Sequence, residues 1–77
     1  MAEVILVYVR LLDEGPDVFR PTTGTLNADD SIELHKTEAY DFGDENWEFL
    51  PGSHVFAAPR WLDGIEVLVA ARRKEPF

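Results

Sequence analysis

Residues 4–12 read VILVYVRLL, an alternating run that predicts the fold. In an extended chain successive side chains point to opposite faces. One face is wholly aliphatic, and its members are Ile5, Val7, Val9 and Leu11. The other face places Tyr8 and Arg10 among aliphatic neighbours. Because β-branched residues with a period of two are typical of strands, we predict a strand over residues 3–12. Its aliphatic face lies in the core, and its Tyr8 face is covered only in part.

A tight reversal follows this strand. Residues 13–17 read DEGPD, in which Gly15 allows unusual backbone dihedrals and Pro16 cannot continue a helix or a β-ladder. The second strand is predicted from Val18 through the sequence VFRPTTGTLN. Pro21 indicates an edge or a bulge in that strand, and Gly24 indicates a bend at a barrel corner.

The next part of the chain predicts a third strand and a short apolar piece. The sequence SIELHKTEA, residues 31–39, places Ile32 and Leu34 inward. A loop rich in turn formers covers residues 39–46, and the short strand WEFL follows at 47–50. Pro51-Gly52 then indicates a turn.

The last two predicted strands form a hairpin. HVFAAPRW, residues 54–61, contains Pro59, which again indicates an edge or a bulge. Leu62-Asp63-Gly64 is the hairpin turn, because Asp-Gly favours a tight two-residue loop. The strand IEVLVAARR at 65–73 closes the sheet, and residues 72–77 are expected to fray as a basic tail.

Short strands broken by glycine and proline favour a barrel or sandwich. We therefore predict one all-β domain over residues 1–77, a small, partly open SH3-like barrel of five to six short antiparallel strands. The first and last strands are the most apolar, so we expect them to lie centrally and to pair.

Composition limits the classes of function. The 77 residues suit one domain with one small core, so any site is expected on the surface or at a junction with a second chain. The sequence has no cysteine, and its start has no basic leader pattern, which favours a cytoplasmic protein. Its apolar run is too short for a membrane-spanning helix, so we expect no membrane association.

The charge is strongly acidic and unevenly placed. The formal net charge is −8, and residues 1–66 carry 14 of the 15 acidic side chains but only 4 of the 7 basic ones. The negative net charge argues against nucleic-acid binding, which requires a basic surface. The acidity serves either solubility alone or the electrostatic attraction of a basic partner.

Metal and cofactor sites are not indicated. His35 and His54 stand 19 residues apart with no metal-ligand motif around them. The stretch DFGDEN at 41–46 offers oxygen ligands but lacks the spacing of a calcium loop. We expect no metal and no cofactor.

Catalysis is not indicated either. Ser53 and His54 are adjacent in a predicted strand, so their side chains point to opposite faces. The carboxylate pairs Asp29-Asp30 and Asp44-Glu45 lie in predicted turns. We expect no enzymatic activity.

Large aromatic and arginine side chains are numerous for a chain of this length, and they are the residue types that contribute most binding energy at interfaces. We predict that a partner contacts the first-strand face, the acidic reversal and the two tryptophans. These residues are Tyr8, Arg10, Asp13, Glu14, Asp17, Trp47 and Trp61.

Structural roles compete with these binding roles. Core packing is the simpler interpretation for Phe19, Phe49 and Phe56, and a partly buried structural position is an alternative for each tryptophan. Ion pairing across the first hairpin, with Asp13, Glu14 or Asp17, is an alternative for Arg10 and Arg20.

The segments VYVRLLDEGPDVFRP, DENWEFLPGSHV and EVLVAAR together resemble a family of small uncharacterised bacterial proteins. Members share a VRLLDEG hairpin that ends in an aromatic-Arg-Pro sequence, and a WEFxPG turn. Phe19 stands where an indole is common in that family. The resemblance implies a compact intracellular β protein of bacterial origin and implies no reaction.

The sequence therefore favours a non-catalytic protein–protein interaction module, acting on a protein partner or as a homo-oligomer. A loose analogy with the aromatic groove and acidic loop of SH3 domains points the same way. One alternative is a small barrel that binds single-stranded nucleic acid by stacking bases on Trp47 and Trp61. A metal-binding or enzymatic accessory subunit is the other.

Overall fold

A computed structural model describes residues 3–15, 18–37 and 45–74 of the chain. Over these residues it is all-β, and the strands close into a small barrel in sequence order, consistent with an SH3-like barrel. The strands are β1 (Glu3–Arg10), β2 (Phe19–Leu26), β3 (Ile32–Leu34), β4 (His54–Leu62) and β5 (Ile65–Arg73).

The alternation in β1 separates the core from the surface as predicted. Val7 and Val9 are completely buried, and Leu11, just beyond the strand, is buried with them. Val4 and Leu6, on the other face, are largely exposed. β1 pairs antiparallel with β2 along its whole length, from Glu3 opposite Leu26 to Arg10 opposite Phe19.

One hydrophobic cluster fills the barrel. It draws on β1, β3, β4 and β5 together with the segment before β4, and the partly buried Leu26 of β2 packs against it. Its buried members are Val7, Val9, Leu11, Ile32, Leu34, Trp47, Val55 and Ala70. Trp47 reaches this cluster because its segment docks against the end of β1. Backbone hydrogen bonds from Leu12 N to Asn46 O and from Glu48 N to Arg10 O hold that segment in place.

At Gly24 two strands approach each other closely. β2 passes so near β3 that a Cβ atom at Gly24 would lie 2.4 Å from Cγ2 of Ile32 and 3.1 Å from the backbone oxygen of Glu33. The residue is buried, and only glycine fits there without displacing its neighbours. The predicted barrel corner is thus a site of tight strand contact.

The predicted hairpin turn between β4 and β5 is confirmed. Leu62 pairs with Ile65, and the two loop residues Asp63 and Gly64 have positive φ angles of 52° and 81°. Positive φ at both loop residues is the signature of a type I′ turn, whose twist matches the flanking strands. A bulge interrupts the ladder between Phe56 and Ala57, three residues before the exposed Pro59.

Two predictions about the sheet need correction. The barrel is closed rather than partly open, and its closing pair, Tyr8 of β1 with Val69 of β5, is parallel. A parallel pair arises because the chain passes through an odd number of strands, so the first and last strands run in the same direction. The expected pairing of these two apolar strands is confirmed, although their antiparallel orientation is not.

Two predicted strands are also shorter than expected. β3 ends at Leu34, although the sequence predicted a strand over 31–39, and residues 38–39 lie outside the described ranges. The WEFL piece makes a single bridge, between Leu11 and Trp47, instead of a strand.

At the C-terminal end, β5 continues through Arg73, and Lys74 N donates to His54 O. Residues 72–74 are therefore parts of the barrel and not a frayed tail, and residues 75–77 of the expected tail lie outside the described residues.

Candidate interaction surface

Strands β2, β1, β5 and β4 lie side by side, and their shared outer face carries the candidate site. The register places Arg10 opposite Phe19 on β1 and β2 and aligns Tyr8 with Val69 across the barrel closure. Arg60 stands opposite Val67 in the β4–β5 hairpin. Paired residues share a face of a sheet, so these side chains occupy one continuous surface, which we term the outer face.

Arg60 links the two ends of the outer face. Its guanidinium lies over the ring of Phe19, with Cζ 5.0 Å from the ring centroid. A cation in this position is attracted by the negative face of the aromatic ring. The contact joins β4 to β2 across the two intervening strands, so the outer face is concave here.

Two depressions meet at the Phe19–Arg60 contact. The larger, about 410 Å³, lies toward the hairpin tip, and its walls are formed by Tyr8, Phe19, Arg60, Trp61, Leu62, Asp63, Ile65 and Val67. The smaller, about 280 Å³, lies toward the end of β1, and its walls are formed by Arg10, Phe19, Glu48, Ala58, Pro59, Arg60, Val69, Ala70 and Ala71. Together they form an elongated depression that has room for an extended peptide.

The hairpin tip exposes large apolar side chains on both of its faces. Trp61 is 68% exposed and pairs with Glu66, whereas Ile65 is 64% exposed and pairs with Leu62. Neighbouring positions along a strand alternate in direction, so Trp61 and Ile65 project to opposite sides. An exposed tryptophan is the residue most often found as an interface anchor.

Three predicted binding residues border the depressions. Tyr8 and Arg10 lie on the outer face, whereas Trp61 lies at the hairpin-tip margin and its side chain projects to the other side of the hairpin. Tyr8 and Trp61 border the larger depression, and Arg10 borders the smaller one. Tyr8 is half-buried, as expected for a face covered only in part, while Arg10 and Trp61 are exposed. Sequence alone did not reveal that the three share one elongated depression, since Trp61 is far from the others along the chain.

Trp47 is not part of the surface. It is 2% exposed and lies in the core, which corrects its assignment as a partner-binding residue. Its indole Nε1 donates a hydrogen bond of 2.8 Å to Oε1 of Glu45. The buried indole is therefore a structural group, and base stacking on Trp47 is ruled out in this conformation.

Glu45 connects Trp47 to Arg20. Its second oxygen, Oε2, accepts a hydrogen bond of 2.5 Å from Nη2 of Arg20. The indole donor, and after it the Arg20 guanidinium, lowers the pKa of the Glu45 carboxyl despite the opposing effect of burial. The ion pair of Arg20 thus reaches Glu45, while Asp17, one of the expected partners in the acidic reversal, lies outside the described residues.

The described acidic residues of the reversal, Asp13 and Glu14, lie apart from the two depressions of the outer face. Oδ2 of Asp13 accepts a hydrogen bond of 3.0 Å from Nδ2 of Asn46, so Asp13 helps to hold the Trp47 segment. Glu14 is exposed, and Asp17 lies outside the described residues. Neither Asp13 nor Glu14 borders the two depressions of the outer face.

The histidines have structural surroundings. The ring of His35 lies between two hydroxyl groups, with Nδ1 2.9 Å from Oγ1 of Thr23 and Nε2 2.8 Å from Oγ1 of Thr25. His54 is exposed at the start of β4 and pairs with Glu33. Over residues 3–15, 18–37 and 45–74 no three His, Cys, Asp or Glu side chains lie close enough to hold a metal ion.

Phe19 and Arg60 are the central residues that the sequence predictions omitted. Phe19 was assigned to the core, but it is half-buried on the outer face. In β2 Phe19 and Pro21 alternate with the buried Thr22 and Gly24, so Phe19 points away from the core. Arg60 gave no signal in the sequence, since its partner lies on a strand remote in sequence.

Comparisons of the chain with models of protein families, with curated proteins and with solved structures each found no match. The described part of the chain contains no helix long and apolar enough to cross a membrane.

Proposed function

We propose that this chain is a non-catalytic protein–protein interaction module of the cytoplasm, which binds an extended segment of a partner along its outer face. The observation that carries the proposal is the elongated depression centred on Phe19 and Arg60, with the exposed Trp61 at one end and Arg10 at the other. Its residue types are those in which binding energy at interfaces is concentrated.

The shape of the depression supports a chain-like ligand over a compact one. Two shallow parts in line suit successive side chains of an extended peptide, whereas small-molecule sites are usually single enclosed cavities. The Phe19–Arg60 contact supplies a partly rigid platform, which lowers the entropy lost when a ligand binds.

Nucleic-acid binding has weaker support. Trp47 is buried, so of the two tryptophans only Trp61 remains for base stacking. The net charge of −8 also opposes contact with a phosphate backbone. A mixed-sequence oligonucleotide serves as a negative control in the test below.

The proposal is tested by selecting random peptides that bind the immobilised full chain and mapping a selected peptide by NMR. We expect chemical-shift changes at Tyr8, Phe19 and Trp61, and weaker binding to Arg60→Ala. The matched control is Arg73→Ala, which removes another exposed arginine, outside both depressions. Equal binding by both variants, or selection of no peptide, would overturn the proposal, as would tighter binding of the oligonucleotide.

A further inference from the structure

The barrel closes through very little backbone pairing. Among the described residues β1 and β5 are joined at one position, Tyr8 with Val69. Counting back along these parallel strands places Leu6 level with Val67 and Val4 level with Ile65. Neither of these two pairs is joined by backbone pairing. The edge of β1 that faces β5 is thus unpaired over residues 3–7, and we term it the open edge.

The open edge differs from the other long unpaired edge of the barrel. β4 is paired with β3 only at His54 and Val55, which leaves its outer part without a neighbour on that side. That part of β4 begins at the bulge after Phe56 and contains Pro59, which has no backbone N–H. Bulges and prolines are the features by which proteins prevent an edge from pairing with another chain. The sequence EVILV of the open edge contains neither feature.

The side chains beside the open edge are apolar and accessible. Val4 is 63% exposed and Leu6 is 56% exposed, and Ile65 at the hairpin tip is 64% exposed. The larger depression of the outer face, about 410 Å³, separates Tyr8 from Ile65 and leaves room beside β1. An added strand would cover these three aliphatic side chains with its own alternate residues.

The charges around this opening are acidic. Glu3 lies at the start of β1, and Asp63 and Glu66 lie at the hairpin tip, all exposed. The arginines of the outer face lie further along it, and Arg60 stacks on Phe19. Basic residues on an incoming strand would therefore meet opposite charges at the opening, whereas a second copy of this acidic chain would bring further carboxylates.

From these observations we propose that the open edge of β1 accepts an extended segment of a partner protein as an added β-strand. The segment alternates apolar residues, which cover Val4, Leu6 and Ile65, with lysine or arginine residues, which face Glu3, Asp63 and Glu66. Main-chain hydrogen bonds to β1 supply the affinity, and the alternate side chains supply the specificity. This inference rests on the proposed function and specifies how the partner's backbone is held.

The probe is a short synthetic peptide that alternates valine and lysine, added to the full chain and followed by NMR and amide hydrogen exchange. We expect slower exchange at alternate amides of residues 4–7 in the presence of the peptide. A second peptide has the same sequence but carries N-methyl groups on the backbone amides that would pair with β1. It should bind about tenfold more weakly, because its hydrogen bonds to β1 are lost.

Charge is tested with two matched double variants. Glu3→Gln with Glu66→Gln should weaken binding of the valine–lysine peptide several-fold, and Glu14→Gln with Glu33→Gln, which removes as much charge elsewhere, should not. A peptide that alternates valine and glutamate should bind more weakly than the lysine peptide to the unmodified chain.

Three results would overturn strand addition. The first is a dissociation constant above about 1 mM for the valine–lysine peptide. The second is binding without protection of residues 4–7, or with equal affinity for the N-methylated peptide. The third is protection of these amides by self-association at high protein concentration without peptide, which would make a second copy the occupant. In any of these cases, the proposed function would still be supported by peptides that are selected on the full chain and map to the Phe19–Arg60 contact.

Discussion

Glu45 and Trp47 are joined by a hydrogen bond of 2.8 Å between the carboxylate Oε1 and the indole Nε1. The indole belongs to the hydrophobic core, and the carboxylate also accepts a hydrogen bond from Arg20. One carboxylate therefore ties the segment before β4 to the core on one side and to β2 on the other. This arrangement makes Glu45 a sensitive point for stability.

The first prediction concerns the pH dependence of folding. The pKa of Glu45 lies below its ordinary value of 4.5 in the folded chain, so its charged form stabilises the fold above that pH. The stabilisation is lost as the pH falls through the lowered pKa. Urea unfolding at a series of pH values should therefore show Glu45→Gln less stable than the unmodified chain at pH 7, with the difference shrinking below about pH 4.5. Glu33→Gln, at an exposed position, is the control, and a gap independent of pH would contradict the prediction.

The second prediction separates the two tryptophans. Trp47→Phe should destabilise the fold by about 1–3 kcal/mol, because a buried aromatic loses volume and its hydrogen bond to Glu45. Trp61→Phe should change stability by less than about 0.5 kcal/mol, since the residue is exposed. Fluorescence provides an independent check: the Trp61→Phe variant, with Trp47 alone, should emit at shorter wavelength and resist acrylamide quenching. Similar quenching of the two single-tryptophan variants would contradict the burial of Trp47.

The third prediction concerns the contact between β2 and β3. Gly24→Ala should cost about 1–3 kcal/mol, because the new Cβ would overlap Cγ2 of Ile32. Leucine has no methyl group on Cβ, so the same substitution in an Ile32→Leu background should cost less. A double-mutant cycle from denaturant unfolding measures this coupling. Additive effects would show that the Ile32 methyl is not the obstacle.

The fourth prediction compares two leucines on opposite sides of the sheet. Leu34→Ala should destabilise the barrel by about 2–5 kcal/mol, because it leaves a cavity in the core. Leu6→Ala should change the free energy of unfolding by less than about 0.5 kcal/mol. Thermal and urea unfolding of the two variants check the pair. A large cost at Leu6 would mean that its side chain is covered in solution, for example by a second copy of the chain.

The sequence determined the local parts of this protein. Alternation in β1 identified its buried face, and Asp63-Gly64 identified the last hairpin, because both depend on residues close together in the chain. The barrel class followed from several such short segments. Tyr8, Arg10 and Trp61 were recognised as surface candidates from residue type and strand face.

Tertiary structure alone decided the rest. It placed Trp47 in the core and Trp61 on the surface. It paired Arg20 with Glu45, and it brought Arg60 over Phe19. It also set the parallel closure at Tyr8 and Val69. These features depend on contacts between residues distant in sequence, and such contacts are fixed only when the barrel closes and its strands share one core.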